Sequence, residues 1–279
     1  MKVLGIVSSP RKGGNSELAV KEILSQLPAS WEKEMIQLND LNLKYCTACY
    51  SCIPEEKRCK LDDDLNFFLD KVKSADKLIL AAPAYYLGAH TAMKVARDRL
   101  LSIVRNHKEF VGKDCVLAGF YGRAKGEGLL KEDMLILARK LNLNVVDAEL
   151  MLATNPGDSV QGENLTIVQR LAKSLVEPPK TPVSTGTINC PYCASTAFTI
   201  KDDGQWQCSI CAGGGKLELQ NGKFSLKYDP AYRGYNFTTE DMDAHAQYLD
   251  EKKKLFMETR HQIKEIQAKY ANIDCWVKP

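Results

Sequence analysis

Two hydrophobic periodicities alternate along the first part of the chain. Short runs in which nearly every residue is apolar predict buried strands, and stretches with apolar residues three or four apart predict helices buried on one side. The predicted strands are Val3–Val7, Met35–Leu38, Lys77–Ala82, Cys115–Phe120 and Val145–Met151. The predicted helices are Ser16–Leu27, Leu65–Lys73, Ala92–Val104, Leu129–Leu141 and Leu165–Val176.

The apolar strands indicate the class of fold. Strands that are apolar throughout are buried on both faces, as in a parallel sheet covered by helices on both sides. Five β-α units of this length fit one α/β domain over residues 1–177, with a flavodoxin-like, five-stranded, doubly wound parallel sheet. In such a sheet, ligands bind beyond the carboxyl ends of the strands.

The rest of the chain has a different composition. Residues 178–187 contain three prolines and no periodicity, which predicts a linker. Residues 188–228 contain short alternating segments and turn signals such as Asn221-Gly222, which predict a small domain of β-hairpins. Residues 229–279 are predicted to form a helical segment.

The last segment is dominated by one long polar helix, predicted from Thr239 to about Ala271. An apolar residue recurs in it at every seventh position: Met242, Leu249, Phe256, Ile263 and Tyr270. The companion positions are largely polar, so the stripe is thin. Such a stripe favours docking on another part of the chain or on a subunit over a free coiled coil.

Length and charge restrict the classes of protein. A chain of 279 residues can bury a full core and holds more than one domain. The net charge of +3 is too small to favour nucleic acid or a membrane surface as a partner. The first strand is soon followed by Arg11 and Lys12 and so does not resemble a signal peptide, and no apolar run is long enough to cross a bilayer. We therefore expect a cytoplasmic protein.

The loop after the first strand carries the first candidate chemistry. Residues 8–16 read SSPRKGGNS and connect a strand to a helix, so backbone N–H groups, hydroxyls and two cations can converge on an anion. The loop matches neither G-x-x-x-x-G-K-[ST] nor G-x-G-x-x-G. A single phosphate group, as in a mononucleotide such as FMN, fits it better than a triphosphate or pyrophosphate. The alternative is a polar turn that binds nothing.

Eight of the ten cysteines lie in two clusters. The first, Cys46, Cys49, Cys52 and Cys59, follows the second strand at the ligand-binding edge of the sheet. Its spacing approaches the C-x2-C-x2-C run of bacterial ferredoxins and favours a cubane iron–sulfur cluster over zinc. The alternatives are a thiol-rich loop without a cluster and a redox-active Cys-x-x-Cys pair.

The second cluster consists of two Cys-x-x-Cys knuckles separated by fourteen residues: Cys190, Cys193, Cys208 and Cys211. Two knuckles joined by a hairpin bring four sulfurs into a tetrahedron, as in zinc ribbons. A domain of about forty residues needs such a metal to fold. Rubredoxin-type iron is the alternative; zinc is favoured because neither knuckle is followed directly by glycine, which is usual in rubredoxins.

Several motifs together resemble a known family. In order they are SSPRKGGNS at 8–16, the first four-cysteine run, DDD at 62–64, AAPAYY at 81–86, and Lys94 followed by Asp98-Arg99. They resemble the NADPH-dependent FMN reductase family and, within it, the iron–sulfur flavoproteins of anaerobic microbes. The resemblance covers roughly residues 1–177 and leaves out the C-terminal hundred residues.

The resemblance implies bound FMN and dimers or tetramers that complete the flavin pocket. It implies that the FMN phosphate is held by Ser9, Arg11, Asn15 and Ser16. It implies that the isoalloxazine ring is lined by Pro83, Ala84, Tyr85, Tyr86 and Leu87, with Tyr121 and Gly122 on the following loop. It also implies a [4Fe–4S] cluster on Cys46, Cys49, Cys52 and Cys59.

These features predict an FMN-dependent oxidoreductase. Electrons would come from NAD(P)H or a ferredoxin-like donor and pass through FMN and the cluster to an acceptor. No triad or paired carboxylates occur, so no catalytic side chain is predicted. The alternative is a non-catalytic electron carrier whose zinc ribbon and C-terminal helix recruit a partner complex. Nucleic-acid binding through the ribbon is disfavoured by the nearly neutral charge.

Overall fold

The computed structural model describes residues 1–54, 57–179, 187–235, 237–273, 275 and 277. The linker predicted over 178–187 therefore lies mostly outside the described residues. The described helices are α1 (Asn15–Gln26), α2 (Leu65–Ser74), α3 (Thr91–Asp98), α4 (Leu130–Lys140), α5 (Gly162–Val176) and α6 (Thr239–Ala268). The described strands are β1 (Lys2–Val7), β2 (Glu32–Gln37), β3 (Lys77–Tyr85), β4 (Gly88–Ala89), β5 (Asp114–Tyr121), β6 (Asn144–Leu152), β7 (Phe198–Ile200), β8 (Gln205–Cys208), β9 (Gly214–Gln220) and β10 (Lys223–Tyr228).

Five parallel strands form the main sheet in the order β2-β1-β3-β5-β6, which confirms the flavodoxin-like fold. Apolar residues of α2, α3 and α4 pack on one face, and those of α1 and α5 pack on the other. Helix α1 lies so close to β1 that a Cβ on Gly5 would come within 2.3 Å of Val20. The parallel order brings the carboxyl ends of β1, β3, β5 and β6 to one edge.

Strand β2 (Glu32–Gln37) begins three residues before the predicted Met35–Leu38, is largely exposed, and is followed by a 3-10 turn that starts at Leu38. Two further details differ from the sequence-based expectation. The helix predicted over Ala92–Val104 ends at Asp98 and is followed by a 3-10 turn at Leu100–Ile103, with the buried residue Arg99 between them. The two-residue strand β4 was not predicted; it pairs antiparallel with the end of β3, opposite Ala84 and Tyr85. Both departures lie beside the ligand-binding edge, where side-chain contacts override the helical and strand periodicities.

Residues after the linker form a four-stranded antiparallel sheet in the order β10-β9-β8-β7, with a small core around Trp206 and the second cysteine cluster. Helix α6 begins with a capping box at Thr238. Its first turns are buried at Met242 and Ala246, and its Asp250 pairs with Arg105 of the main domain. Beyond that point the helix is largely exposed. Among the described residues, no helix is both long and apolar enough to cross a membrane.

Candidate functional site

The loop between β1 and α1 is shaped as an anion site. The Arg11 backbone N–H donates to Ser9 Oγ over 3.3 Å, and Gly13 adopts the left-handed conformation that such a tight loop requires. No side chain caps the N-terminus of α1, where Gly14 is the N-cap residue. The first N–H groups of α1 therefore have no side-chain acceptor. Arg11 is exposed and forms no ion pair with any residue that the structure describes.

The side-chain amide of Asn15, predicted to bind the phosphate, is bonded to other residues of the protein instead. Its Nδ2 donates to the carbonyl oxygens of Ala153 and Asn155, and its Oδ1 accepts from the N–H groups of Gly157 and Ser159. These four hydrogen bonds, of 2.9–3.2 Å, use the full capacity of the amide. Asn15 thus fixes the loop after β6 against the start of α1.

One cavity of about 270 Å³ lies at this edge of the sheet. Eight of the eleven residues predicted to bind FMN line it: Ser9, Arg11, Asn15, Ser16, Pro83, Ala84, Tyr85 and Gly122. Five further lining residues were not predicted: Gly14, Phe120, Ala153, Thr154 and Pro156. The last three follow β6 at the same edge, so the rule that placed the site after β1, β3 and β5 would have found them.

The remaining three predicted residues, Tyr86, Leu87 and Tyr121, do not line this cavity. On β5 the neighbouring Phe120 lines it instead, because successive side chains of a strand point to opposite faces. Tyr86 is fully exposed and Leu87 is 53% exposed at the turn between β3 and β4. In a single chain, the wall of the cavity therefore ends at Tyr85.

The turn at Tyr86 and Leu87 is strained, since both residues have positive φ angles, 45° and 65°. Contacts from the loop before α4 support it. Leu129 N–H donates to Leu87 O over 2.7 Å, and a Cβ on Gly128 would approach Leu87 O to 2.3 Å. The turn is thus fixed in a conformation that bulky residues rarely adopt.

Tyr85 is held from two sides. Its ring packs edge-on against His90, with ring centroids 5.0 Å apart, and His90 also caps α3 by accepting from Ala92 N–H. The paired strand β4 is bound by Asp133 of α4, whose carboxylate accepts from Ala89 N–H at 2.9 Å and from Arg97 at 2.7 Å. The aromatic wall of the cavity is therefore anchored to α3 and α4.

The first cysteine cluster lies on the loop between β2 and α2. All four cysteines line one small cavity; Cys46 and Cys49 are exposed, and Cys52 and Cys59 are partly buried. No three of these sulfurs lie within 4.8 Å of one another among the described residues, so the loop is not preformed for a single ion. The loop nevertheless brings all four thiols to the lining of one cavity, and four cysteine thiolates are the donor set that a cubane requires.

The loop is held from beneath by an ion pair. Arg99 donates to both carboxylate oxygens of Asp63, at 2.5 and 3.2 Å, and both side chains are almost completely buried. The acidic run 62–64 precedes α2, where a carboxylate can cap the helix. Asp63 does accept from Leu65 N–H at 3.2 Å, whereas Asp64, the N-cap residue, makes no side-chain cap. The Arg99–Asp63 pair was not predicted.

The second cysteine cluster is compact and buried, and its four thiols could hold a metal ion. The sulfurs of Cys190, Cys193, Cys208 and Cys211 all lie within 4.8 Å of one another. The pairs Cys190–Cys211 and Cys193–Cys208 are 3.6 and 3.5 Å apart. Thiolates at about 2.3 Å around a tetrahedral ion lie about 3.8 Å apart, so the four sulfurs match one ion.

The residue after each knuckle has a positive φ angle, 65° at Ala194 and 59° at Ala212. Glycine adopts this conformation without strain, and alanine adopts it here because the knuckle turns back on the metal site. The backbone therefore follows the course of a glycine-containing knuckle even though glycine is absent. The absence of glycine consequently does not discriminate zinc from rubredoxin-type iron.

The small domain that carries the second cluster, strands β7 to β10 and the two knuckles, is called the ribbon here, and it packs on α4. The buried carboxylate of Glu132 accepts three hydrogen bonds, of 3.0–3.2 Å, from Ser195 Oγ, Thr196 N–H and Thr196 Oγ1. Ala194 packs against the main core, and Lys131 donates to Asn189 Oδ1 over 2.7 Å. The ribbon is thereby attached to the helix whose Asp133 also binds strand β4.

Fold and cavity together define a flavodoxin-like protein with a cavity at the carboxyl edge of its sheet, between the uncapped N-terminus of α1 and an aromatic wall. The chain matches the NADPH-dependent FMN reductase family over residues 1–157 and belongs to that family of oxidoreductases.

The chain is also similar to individual proteins in sequence and to a solved structure in fold. The chain is 41% identical over 100 residues to an iron–sulfur flavoprotein of Methanocaldococcus jannaschii, covering 36% of this chain and 51% of that protein. It is 36% identical over 102 residues to an iron–sulfur flavoprotein of Archaeoglobus fulgidus, covering 36% and 46%. The chain thus covers about half the length of these relatives. A solved structure described as a flavone reductase shares the fold over the full length of both chains, with a TM-score of 0.75 at 18% identity.

Proposed function

We propose that the protein is an FMN-dependent oxidoreductase that transfers electrons between a nicotinamide or ferredoxin-like donor and an acceptor. The observation that carries this proposal is the cavity at the sheet edge, where the uncapped N-terminus of α1 and Arg11 lie beside the wall formed by Pro83, Ala84 and Tyr85. When bound, FMN supplies exchange of electrons singly or in pairs.

The residues of the cavity divide into two groups. Arg11, the hydroxyls of Ser9 and Ser16, and the first N–H groups of α1 would hold the phosphate. Asn15, whose amide is fully engaged, positions that loop instead. Tyr85 and Phe120 supply aromatic surface for a flat ring, and the strand-end backbone supplies polar partners for its rim.

The test measures FMN affinity by fluorescence quenching. Arg11→Ala removes an exposed charge-assisted contact, and we expect the Kd for FMN to rise about tenfold, which corresponds to about 1.4 kcal/mol. Lys12→Ala is the matched control, because Lys12 is an exposed cation of the same loop that does not line the cavity. A wild-type protein that binds no FMN, or equal effects of both substitutions, would remove the proposal.

We further propose a [4Fe–4S] cluster on Cys46, Cys49, Cys52 and Cys59, and a zinc ion on Cys190, Cys193, Cys208 and Cys211. Shared lining of one cavity supports the first, and the short sulfur–sulfur distances support a single ion in the second. Anaerobic purification followed by iron, sulfide and zinc quantification tests both. We expect about four irons and one zinc per chain; about five irons without zinc would indicate a rubredoxin-type ribbon beside the cluster, and a single iron without zinc would indicate a rubredoxin-type ribbon alone.

An oligomer is part of the same proposal. In a single chain Tyr86 and Leu87 project beside the cavity without lining it, so a second copy at this turn would complete the pocket, as the family resemblance implies. Light scattering tests this: we expect a dimer or tetramer, and Tyr86→Ser is expected to weaken both association and FMN binding. A monomer that binds FMN fully would contradict it.

A non-catalytic electron carrier is the second candidate. The exposed half of α6 favours it, because Leu255, Phe256 and Ile266 are each about half exposed or more, as is Tyr270 just beyond the helix, and such a surface suits a partner protein. Steady oxidation of NADH or NADPH with a quinone or free flavin as acceptor would support the enzyme. Reduction by a ferredoxin alone would support the carrier.

A further inference from the structure

Arg99 is buried beneath the first cysteine cluster. The residue is 2% exposed, although arginine is almost never fully buried unless it is paired. It follows directly after α3 and lines the same small cavity as the four cysteines. A buried guanidinium so close to a thiol-rich loop needs a physical explanation.

All four N–H donors of its two terminal nitrogens are engaged. Two form the fork with Asp63, one donates to Lys44 O at 2.5 Å, and one donates to Cys59 Sγ at 3.0 Å. Lys44 precedes the first cysteine of the cluster by two residues, and Cys59 is the last. A single guanidinium therefore holds both ends of the cysteine loop.

Asp63 completes this arrangement. Besides Arg99 it binds the Lys44 N–H at 2.9 Å, so the backbone on both sides of Lys44 is fixed by the ion pair. The carboxylate also balances the guanidinium, which makes the buried pair neutral. What the pair presents to the cluster is consequently one oriented N–H dipole, directed at the sulfur of Cys59.

Hydrogen bonds to cysteine sulfurs are among the factors that set the reduction potential of an iron–sulfur cluster. The reduced cluster carries one more negative charge than the oxidised one, so an N–H directed at a ligand sulfur stabilises the reduced state more. We infer that Arg99 is a positioning residue whose N–H to Cys59 Sγ raises the reduction potential of the first cluster. This inference rests on the cluster proposed above.

The experiment measures the midpoint potential of the cluster by EPR-monitored titration in three variants. Arg99→Lys keeps the charge but loses the fork and the N–H to sulfur, so we expect a more negative potential. Asp63→Asn keeps Arg99 but leaves its charge uncompensated, so we expect a more positive potential. Arg105→Lys is the control. Arg105 donates to Ile53 O in the same loop and contacts no sulfur, so the midpoint potential of the cluster in this variant should equal that of wild type.

Opposite shifts of the midpoint potential in Arg99→Lys and Asp63→Asn would support the inference, because simple loosening of the loop would move both potentials in one direction. Unchanged potentials, or shifts of the same sign in Arg99→Lys and Asp63→Asn, would overturn it. A wild-type protein without iron and sulfide would instead refute the proposed cluster, which is a separate outcome.

A second measurement needs no variant. In wild-type protein grown with ¹⁵N-arginine and reduced, pulsed EPR should detect a weak ¹⁵N coupling to the cluster, because the Arg99 nitrogen lies 3.0 Å from Cys59 Sγ. The same protein grown with unlabelled arginine gives the background. A cluster signal with no ¹⁵N coupling would overturn the inference even if Arg99→Lys and Asp63→Asn both fail to fold.

Discussion

The two cysteine clusters have the same number of thiols and opposite construction. In the second cluster, β-hairpins bring four buried sulfurs to within 4.8 Å of one another, and the ribbon packs on the main domain. In the first, a compact run lies on a loop with two exposed cysteines, and the arrangement is held by a buried ion pair behind it. The two knuckles bring four sulfurs together for one ion, whereas the short run lines one cavity and, among the described residues, does not bring three of its sulfurs within 4.8 Å.

The largest difference should appear in stability. Cys193→Ser removes a ligand around which the ribbon core is built, and we expect a loss of at least about 3 kcal/mol, or about 6 °C or more in Tm. Cys49→Ser, in the exposed loop, should leave Tm unchanged within about 2 °C while iron content falls. Thermal unfolding with metal analysis tests both; equal losses of Tm would contradict the distinction.

The contact between Glu132 and the ribbon should have the next largest effect. Glu132→Ala leaves three donors of Ser195 and Thr196 without their acceptor, which should cost about 2–4 kcal/mol. Glu132→Gln retains one carbonyl oxygen and should restore most of the stability. Denaturant unfolding measures the difference. The first cluster serves as the internal reference, since its iron content should not change.

The cysteines of the two clusters should differ in their reactivity toward alkylating reagents, because those of the first cluster are more exposed. In protein without iron, hydrogen bonds from Ser51 and Thr47 and the backbone lower the pKa of Cys49 to about 7, so about half of this thiol is ionised at pH 7. We expect Cys49 to react with iodoacetamide about five- to tenfold faster than the exposed Cys275. The ribbon cysteines of the same sample, with metal bound, should remain unlabelled. Mass spectrometry of peptides gives the rates, and preferential labelling of Cys190 or Cys208 would break the comparison.

Lowering the pH should produce the smallest of these effects on stability. Burial alone would raise the pKa of the Asp63 carboxyl, but Arg99 and the N–H groups of Lys44 and Leu65 hold it below its usual range. Because the pKa of Asp63 is lowered, the Arg99–Asp63 pair contributes its full stability at pH values above the ordinary carboxyl pKa of about 3.9. This stability is lost as the pH falls through the lower pKa of the folded state.

Between pH 8 and 5, Tm should therefore be no more sensitive to pH in wild type than in Asp63→Asn. Below about pH 4 the wild type should lose a few degrees more than this variant. Thermal scans at pH 3–8 measure the difference, and parallel curves throughout that range would contradict the assignment.

Regular features of the chain could be predicted from its sequence. The doubly wound parallel sheet follows from strands alternating with amphipathic helices, and the cavity follows from the rule that ligands lie beyond the carboxyl ends of those strands. The knuckle spacing also predicted the sulfurs that meet. In each case the signal is local or follows from the general geometry of parallel sheets.

Other features depend on contacts between distant residues and leave no local signal. Arg99 interrupts a helical periodicity because its side chain binds residues 36 to 55 positions away. Tyr86 and Leu87 form a tight turn without glycine or asparagine, so the usual turn signal is missing. The full engagement of Asn15 depends on residues about 140 positions later.

Neighbouring positions on α4 have a practical consequence. Glu132 faces the ribbon and Asp133 faces strand β4, so truncating the protein after residue 177 would leave the first carboxylate without its donors and uncover the core surface beneath Ala194. The same truncation would deprive Arg105 of Asp250. A shortened fragment would therefore not be an unaltered copy of the flavodoxin-like domain, and measurements of its flavin chemistry should be compared with those of the intact chain.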